Sequence, residues 1–324
     1  MKALVLIGGF GTRLRPVTYS VPKQLIPLAG RPMLYHVLDL LPTDIEEVVL
    51  ATGYKAEMID AYVRAHPLPF PVRTVPEAEP LGTGGGMRNA GEGMSDPFYL
   101  LNSDVIAQVD LRDARAQFDR LGGVGVMTLA EVEDVRPYGV AALGPDDRIT
   151  GFVEKPEPEA APSRWINAGV AIWRRSVLDR IPPGRALSFE REIVPGLLAD
   201  GVFGYRLTGY WDDAGTPERL LRSQRLLFGD DRGRIGTLPA GAEGTGPVAT
   251  MEGATGRSAE FGRWVTLGPG SFVGPDAHVE DSILMDGVRV EAGAWVVGSI
   301  LGPRTTVHAG HRVEGQVSGE GAEL

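Results

Sequence analysis

The sequence predicts a Rossmann-like α/β domain with a mixed sheet, followed by a C-terminal left-handed hexapeptide β-helix. The first reason is glycine: 26 of the 44 glycines lie in residues 1–235, about one in nine, and 18 lie in residues 236–324, about one in five. Two architectures account for two such densities. The second is an N-terminal alternation of short apolar runs with amphipathic stretches, the pattern of strands feeding crossover helices. The third is a six-residue repeat near the C-terminus.

Lys2–Ile7, Glu47–Ala51 and Phe98–Leu101 read as buried strands. Pro32 opens a segment with Leu34, Val37, Leu38 and Leu41 on one face, and Lys55–His66 places Met58, Ile59 and Tyr62 similarly, so both read as helices. Gly139–Leu143 and Arg148–Val153 suggest a hairpin, Asn167–Trp173 another strand, and Thr216-Pro217 the capped start of a helix running to about Phe228. A hairpin beside crossover strands makes the sheet mixed. Residues 229–262 form a glycine-rich polar stretch without periodicity. The expected division is an α/β domain at 1–235, a linker at 236–262 and a β-helix at 263–324.

Two rows carry the repeat. Leu267, Val273, Val279, Met285, Val290, Val296, Gly302, Val307 and Val313 are spaced six, six, six, five, six, six, five and six residues apart. Val265, Ser271, Ala277, Ile283, Val288, Ala294, Ile300, Thr305 and His311 lie two residues ahead of them. Small or aliphatic inward positions, with Gly-Pro corners such as Gly268-Pro269 and Gly274-Pro275, are what a hexapeptide β-helix requires. Nine hexads make about three coils. A β-sandwich with regular turns is the alternative.

Composition narrows the function. The net charge of −10 removes the electrostatic footprint expected of a partner for nucleic acid or an anionic membrane, so any anionic ligand must be gripped locally. Without cysteine there are no disulfides, thiolate metal sites or cysteine nucleophile. Ala3–Ile7 is apolar for only five residues before Gly8-Gly9, too short for a secretory or membrane-spanning segment, and a cytoplasmic protein is expected.

Gly8-Gly9-Phe10-Gly11-Thr12-Arg13-Leu14-Arg15-Pro16 follows the first strand directly. Glycines let backbone N–H groups approach phosphate oxygens, and the carboxyl end of a strand is where open α/β sheets bind nucleotides. Leu14 breaks the dinucleotide fingerprint, and no Gly-Lys-Ser/Thr follows for a P-loop. A tight turn alone would use the same glycines, but Arg13 and Arg15 suit a polyphosphate clamp. Only four lysines, Lys2, Lys23, Lys55 and Lys155, stand against 28 arginines. Lys23 and Lys155 each sit beside a proline, where a compact ammonium or merely a solvated loop lysine fits. Asp104 and Asp213 stand at strand ends as turn formers or as the two carboxylates that suffice for Mg²⁺ with substrate phosphates and water. The five histidines show no ligand cluster, and His308 and His311 read as coil positions.

GGFGTRLRP, VPKQL, PLGTGGG, LNSDV, FVEKP, INAGVAIW and WDDAGT occur in the order seen in sugar-1-phosphate nucleotidyltransferases, and the chain resembles that family over almost its whole length. PFYLLNSDVI, Tyr138-Gly139-Val140 and Ser188-Phe189-Glu190-Arg191-Glu192 before Pro195 most resemble its mannose-1-phosphate guanylyltransferase branch, the GDP-mannose pyrophosphorylases. Gln24 stands where that branch usually has Pro and Gly84 where it has Ala, and Gly84–Gly86 resemble uridylyltransferases for amino sugars. The resemblance implies that Gly8, Gly9, Gly11 and Thr12 bind the nucleotide and that Arg13 and Lys23 hold the triphosphate. It further implies that Asp104 and Asp213 hold Mg²⁺ and Lys155 the sugar phosphate. Gly139, Glu154 and Asn167 would contact the sugar hydroxyls, and Glu77, Gly82 and Thr83 the base. The catalytic residues so implied are Arg13, Lys23 and Asp104.

The expected reaction joins GTP and mannose 1-phosphate, giving NDP-sugar and diphosphate. UTP or dTTP with glucose 1-phosphate or an amino-sugar phosphate is the near alternative, and a catalytically silent NDP-sugar-binding subunit or an added acyltransferase site near His278, His308 or His311 the distant ones. Carrying apolar rows but no motif residue, the β-helix is expected to drive homo-oligomerisation.

Overall fold

The computed structural model describes residues 1–229, 238–239, 241–244 and 246–324. They divide into two compact units, each discontinuous in sequence: Met1–Gly9 with Val37–Trp211, and Phe10–His36 with Asp212–Leu324.

The first unit is built on a nine-stranded sheet. Lys2–Ile7 pairs in parallel with Glu47–Thr52 on one side and Phe98–Asn102 on the other, and Val72–Pro76 adds in parallel outside Glu47–Thr52. Such strands are covered on both faces, which explains the unbroken apolar runs Ala3–Ile7 and Val48–Ala51. Trp165–Trp173 reverses the direction, running antiparallel to Phe98–Asn102 and to Gly125–Glu131. Val202–Arg206 joins Gly125–Glu131 in parallel, and the hairpin Gly139–Leu143 with Ile149–Glu154 attaches through Ile166 and Val140. The sheet is therefore mixed, as expected.

Helices cover this sheet. Ala56–Ala65 starts one residue later than the apolar spacing suggests, because Lys55 holds a left-handed φ of 54° at its N-cap. Leu111–Leu121 is capped by the Asp110 carboxylate, which accepts from the Arg112 and Asp113 amides at 2.9 and 3.0 Å. Gly82–Ala90 is a helix although four of its residues are glycine, each disfavouring helix by about 1 kcal/mol relative to alanine. Tertiary contact overrides that preference. A Cβ on Gly82, whose φ is +68°, would stand 2.5 Å from the Leu187 carbonyl, and one on Gly85 2.5 Å from the Arg185 carbonyl.

The second unit holds short 3₁₀ turns at Thr12–Leu14, Val17–Tyr19 and Lys23–Leu25, the helix Pro217–Gly229, and a parallel β-helix. Three ladders run along the coils. The first joins Glu243-Gly244, Glu260-Phe261, His278–Glu280, Trp295–Val297 and Arg312–Glu314; the second Val248–Thr250, Val265–Leu267, Ile283-Leu284 and Ile300-Leu301; the third Phe272-Val273, Arg289-Val290 and Thr306-Val307. The coils begin at Glu243, within the stretch expected as linker, so there are more than the three predicted. The early coils keep the same rhythm, Ala242, Val248, Ala254, Ala259 and Val265 standing six, six, five and six residues apart, but Gly244, Thr250 and Gly256 hold the companion positions before Phe261, so the apolar signal is weak there. Of the expected linker, residues 236–237, 240 and 245 lie outside the described residues.

The first inward row is buried from Leu267 to Val313, and the second from Val265 to Thr305. His311 is exposed, correcting its place in that row. An imidazole pointed into a column of Val and Ala would bury nitrogens without partners. Residues 10–36 belong to this unit: a Cβ on Gly30 would stand 3.0 Å from Ala249 Cβ, and one on Gly319 3.3 Å from Pro16 Cβ. A cut at residue 235 thus divides a compact unit. Among the described residues no helix is long and apolar enough to cross a membrane.

Leu267→Ala should lower unfolding free energy by about 2–5 kcal/mol and His311→Ala by less than about 0.5 kcal/mol, read from denaturant midpoints at unchanged slope. Equal losses would reject the inward and outward assignment.

Candidate active site

In the first unit, four neighbouring parallel strands, Phe98–Asn102, Lys2–Ile7, Glu47–Thr52 and Val72–Pro76, end at one edge. Gly8 and Gly9 leave Lys2–Ile7 there, exposed to solvent, with Gly9 at φ 90°. Asp104 lies in the turn after Phe98–Asn102, where the Ser103 amide donates to the Leu6 carbonyl at 3.2 Å. Glu77 follows Val72–Pro76, its amide donating to the Thr52 carbonyl at 2.7 Å. The sheet therefore places Gly8, Gly9, Glu77 and Asp104 at a single carboxyl edge.

Glu77 is half-buried. One carboxylate oxygen, Oε2, accepts from the Leu81 amide at 3.2 Å, and Oε1 lies where any Cβ on Gly86 would collide with it. Burial raises its pKa above the ordinary carboxylate value, with the Leu81 hydrogen bond opposing. Thr83 is committed inside the protein: its hydroxyl donates to Glu190 Oε2 at 2.6 Å and accepts from the Phe189 amide at 2.9 Å. Ser188 Oγ donates to the same Glu190 oxygen at 3.2 Å.

Gly139 pairs with Glu154 across the hairpin, and a Cβ on Gly139 would stand 2.7 Å from Glu154 Oε2. The Glu154 pKa is raised, first by burial and then by the Glu190 charge, while Lys155 and Arg191 pull it down. Lys155 holds a left-handed φ of 52°, fixed by its amide donating to the Tyr138 carbonyl at 2.9 Å. Its ammonium reaches solvent 3.9 Å from Glu154 Oε1. Asn167 Oδ1 accepts from the Gly169 amide at 3.0 Å, and a narrow cleft is lined by Asn102, Asn167, Gly169, Phe189 and Glu190. Gly139, Glu154, Lys155 and Asn167 thus meet at the hairpin and the adjoining strand.

In the second unit, Gly11 is left-handed at φ 59°, Thr12 and Arg13 are exposed in the turn Thr12–Leu14, and Lys23 opens the turn Lys23–Leu25. The Thr18 hydroxyl donates to the Gly11 carbonyl at 2.8 Å. Arg13 lies against the WDDAGT segment: a Cβ on Gly215 would stand 2.7 Å from Arg13 Nη2. Asp213 is ion-paired with Arg219, a partner that sequence reasoning missed. The neighbouring Asp212 was also missed. It is buried, 3.4 Å from Arg222 Nε, and its pKa is pushed up to about 6 by burial against the opposing effects of Arg222 and the Asp213 amide.

Among the described residues no three carboxylate or imidazole groups gather into a metal cage. Asp104 and Asp213 offer hard oxygens, the donor set an ion suits when phosphates and water complete its shell.

These features define a nucleotidyltransferase: the nucleotidyl transferase family pattern matches residues 2–228, and the chain belongs to that family. Within it, the chain belongs with the mannose-1-phosphate guanylyltransferases. It is 39% identical over 304 residues to the Mycobacterium tuberculosis enzyme of that name, covering 91% of this chain and 83% of that one. Mannose-1-phosphate guanylyltransferase 1 of Arabidopsis thaliana is 34% identical over 325 residues, covering 97% and 89%. Residues 245–324 match a GMPPB C-terminal domain. HddC from Yersinia pseudotuberculosis, solved with GMP-PN, superposes with a TM-score of 0.59 at 27% identity over 70% of this chain and 99% of that one. A UDP-glucose pyrophosphorylase from Acinetobacter baumanii shares the fold, with a TM-score of 0.64 at 22% identity over 71% and 94%.

Thr83→Val should cost about 1–3 kcal/mol in chemical denaturation, since it strands the Phe189 amide and removes a donor from Glu190. A neutral substitution would show that this tie does not hold the Gly82–Ala90 helix.

Proposed function

We propose that the chain transfers a guanylyl group from GTP to mannose 1-phosphate, releasing diphosphate and GDP-mannose. The observation that carries the reading is the single carboxyl edge holding Gly8, Gly9, Glu77 and Asp104, in a chain that aligns almost end to end with mannose-1-phosphate guanylyltransferases. A phosphate oxygen of the sugar phosphate attacks the α-phosphorus in line. One P–O bond forms there, and the bond to the β-phosphate oxygen breaks. A phosphate monoester is already anionic near neutral pH, so no side-chain base is required.

Backbone N–H groups of Gly8, Gly9 and Gly11, with Thr12, cradle the nucleotide, and Arg13 and Lys23 offset charge on the departing diphosphate. Lys155 holds the sugar phosphate while Gly139, Glu154 and Asn167 meet its hydroxyls, and Gly82 and Thr83 shape the base pocket beside Glu77. Nucleotidyltransferases of this family generally use a divalent metal. Asp104 and Asp213 would hold it here as Mg²⁺, which when bound supplies positive charge to the phosphates. In this reading residues 1–235 carry the reaction, and the β-helix also serves a homo-oligomer in the cytoplasm.

Diphosphate release, measured over a matrix of NTPs and sugar 1-phosphates, tests the proposal. GTP with mannose 1-phosphate should give the highest kcat/KM, Asp104→Asn should lower kcat by orders of magnitude, and Lys155→Ala should cost about 1.5–3 kcal/mol, chiefly in sugar-phosphate affinity. A wild type preferring UTP or dTTP, or one that releases no diphosphate, would overturn it.

Glu77 gives a sharper expectation. Guanine presents N1–H and N2–H₂ side by side, two donors that a carboxylate accepts, whereas uracil and thymine alternate acceptor and donor. Glu77→Gln should erode the GTP preference about ten- to a hundredfold in kcat/KM. The raised Glu77 pKa sets the sign of the pH dependence: as pH falls, Glu77 protonates above the ordinary carboxylate range and loses acceptor capacity. The KM for GTP should therefore rise on the acid side in wild type and stay level in Glu77→Gln. Parallel profiles would remove Glu77 as the base reader.

A further inference from the structure

The helix Pro217–Gly229 carries two sets of contacts, one in its first two turns and one at its middle. Near its start, Thr216 Oγ1 caps the Arg219 amide at 3.3 Å, Arg219 pairs with Asp213, and Arg222 Nε stands 3.4 Å from Asp212. One turn further, Gln224 is fully buried and spends its amide on the β-helix. Its Nε2 donates to the Trp264 carbonyl at 2.7 Å and to the Ser282 carbonyl at 3.3 Å, and its Oε1 accepts from Thr266 Oγ1 at 2.6 Å. Arg225 beside it forms a two-pronged ion pair with Asp281. Trp264 and Ser282 lie on successive coils, so the amide reads the spacing of the β-helix itself.

We propose that Gln224 is a positioning residue: it fixes the helix to the β-helix and thereby sets Arg219 and the Asp213 carboxylate. Gln224 lies five positions after Arg219, about 7.5 Å along a stiff rod, so loss of the anchor at mid-helix shifts the first turn with it. A side chain present only for adhesion needs no donors and acceptor matched to three backbone and hydroxyl partners. An apolar residue would bury as well, without orienting the helix. Gln224 touches neither substrate nor metal and acts only through Asp213. The β-helix thus supports chemistry as well as association. This rests on the reading of Asp213 as a metal ligand.

The test is Mn²⁺ binding in the presence of GTP and absence of sugar phosphate, followed by EPR of free Mn²⁺, alongside kcat and KM for mannose 1-phosphate. The variants are Gln224→Leu, Thr266→Val, Asp213→Asn and, as a control for stability alone, Leu301→Ala in the β-helix core. Gln224→Leu should weaken Mn²⁺ binding and lower kcat by about tenfold each, a shift of about 1.4 kcal/mol, with the sugar-phosphate KM within about twofold. Thr266→Val should move both the same way by about threefold, and it decides the question if Gln224→Leu does not fold. Leu301→Ala, at a comparable loss of Tm, should leave Mn²⁺ binding unchanged.

Unchanged Mn²⁺ binding in Gln224→Leu, or in Thr266→Val where that variant decides, or equal effects from Gln224→Leu and Leu301→Ala at matched Tm, would overturn the proposal. Unchanged binding in Asp213→Asn would overturn it by a different route, removing the metal role of Asp213 itself. Diphosphate release by wild type separates both failures from failure of the transferase reading.

Discussion

Parallel pairing of Lys2–Ile7 on both sides is the constraint from which the first unit follows. A parallel strand cannot return by a short turn, so each neighbour arrives after a crossover and every chain leaves the sheet at the same edge. Glu47–Thr52, Val72–Pro76 and Phe98–Asn102 all obey this, and hydrogen bonds from the Ser103 and Glu77 amides carry the ladders one residue past the strand ends. The departing chains carry Gly8, Gly9, Glu77 and Asp104. The hydrogen-bond pattern of the sheet brings these residues to one edge. An acidic chain gains from this, since a polyanion must be met locally by N–H groups and a few cations.

What was legible in the sequence divides along the same physical line. Strands buried on both faces advertise themselves as unbroken apolar runs, and the hairpin 139–154 and the capped helix at Thr216-Pro217 were visible for comparable local reasons. The Gly82–Ala90 helix was not, because its glycines argue against helix. They are there for the close approach of the Leu187 and Arg185 carbonyls, a contact 100 or so residues away in sequence. The first coils of the β-helix were hidden for another reason: they keep the six-residue spacing, but alanine, glycine and threonine at positions such as 242, 244, 250, 254 and 256 give it little apolar contrast. Contiguous motifs gave the candidate site residues, but Arg219 beside Asp213, Asp212 beneath it and Glu190 against Thr83 depend on tertiary pairing that no spacing encodes. Nor could the sequence show that residues 10–36 group with 212–324.

Around the hairpin the fold tolerates two carboxylates that a stable protein would rather separate. Burial, and after it the Glu190 charge, raises the cost of ionising Glu154. Glu190 Oε2 is satisfied by Thr83 and Ser188. Among the described residues, hydrogen bonds reach neither Glu190 Oε1 nor the Glu154 carboxylate. Carboxylates are acceptors only, the groups that the O–H donors of a sugar would match under the proposed function.

The choice of lysine over arginine at position 155 follows from the same acidity. Arginine is seven times as common in this chain, and its fork is repeatedly captured by the protein's own carboxylates: Arg136 binds Asp134 through two nitrogens at 2.8 Å each, and Arg225 grips Asp281 with two. A guanidinium beside Glu154 would meet the geometry it prefers and close on it bidentately, leaving little charge for the phosphate that Lys155 is proposed to hold. The Lys155 ammonium, strongly hydrated and without a planar fork, instead stands 3.9 Å off and 58% exposed. Its left-handed backbone, pinned to Tyr138, turns the residue out of the strand at the end of the hairpin. Charge is thereby kept available beside a carboxylate that would otherwise neutralise it, in a left-handed backbone that would strain arginine as much as it strains lysine.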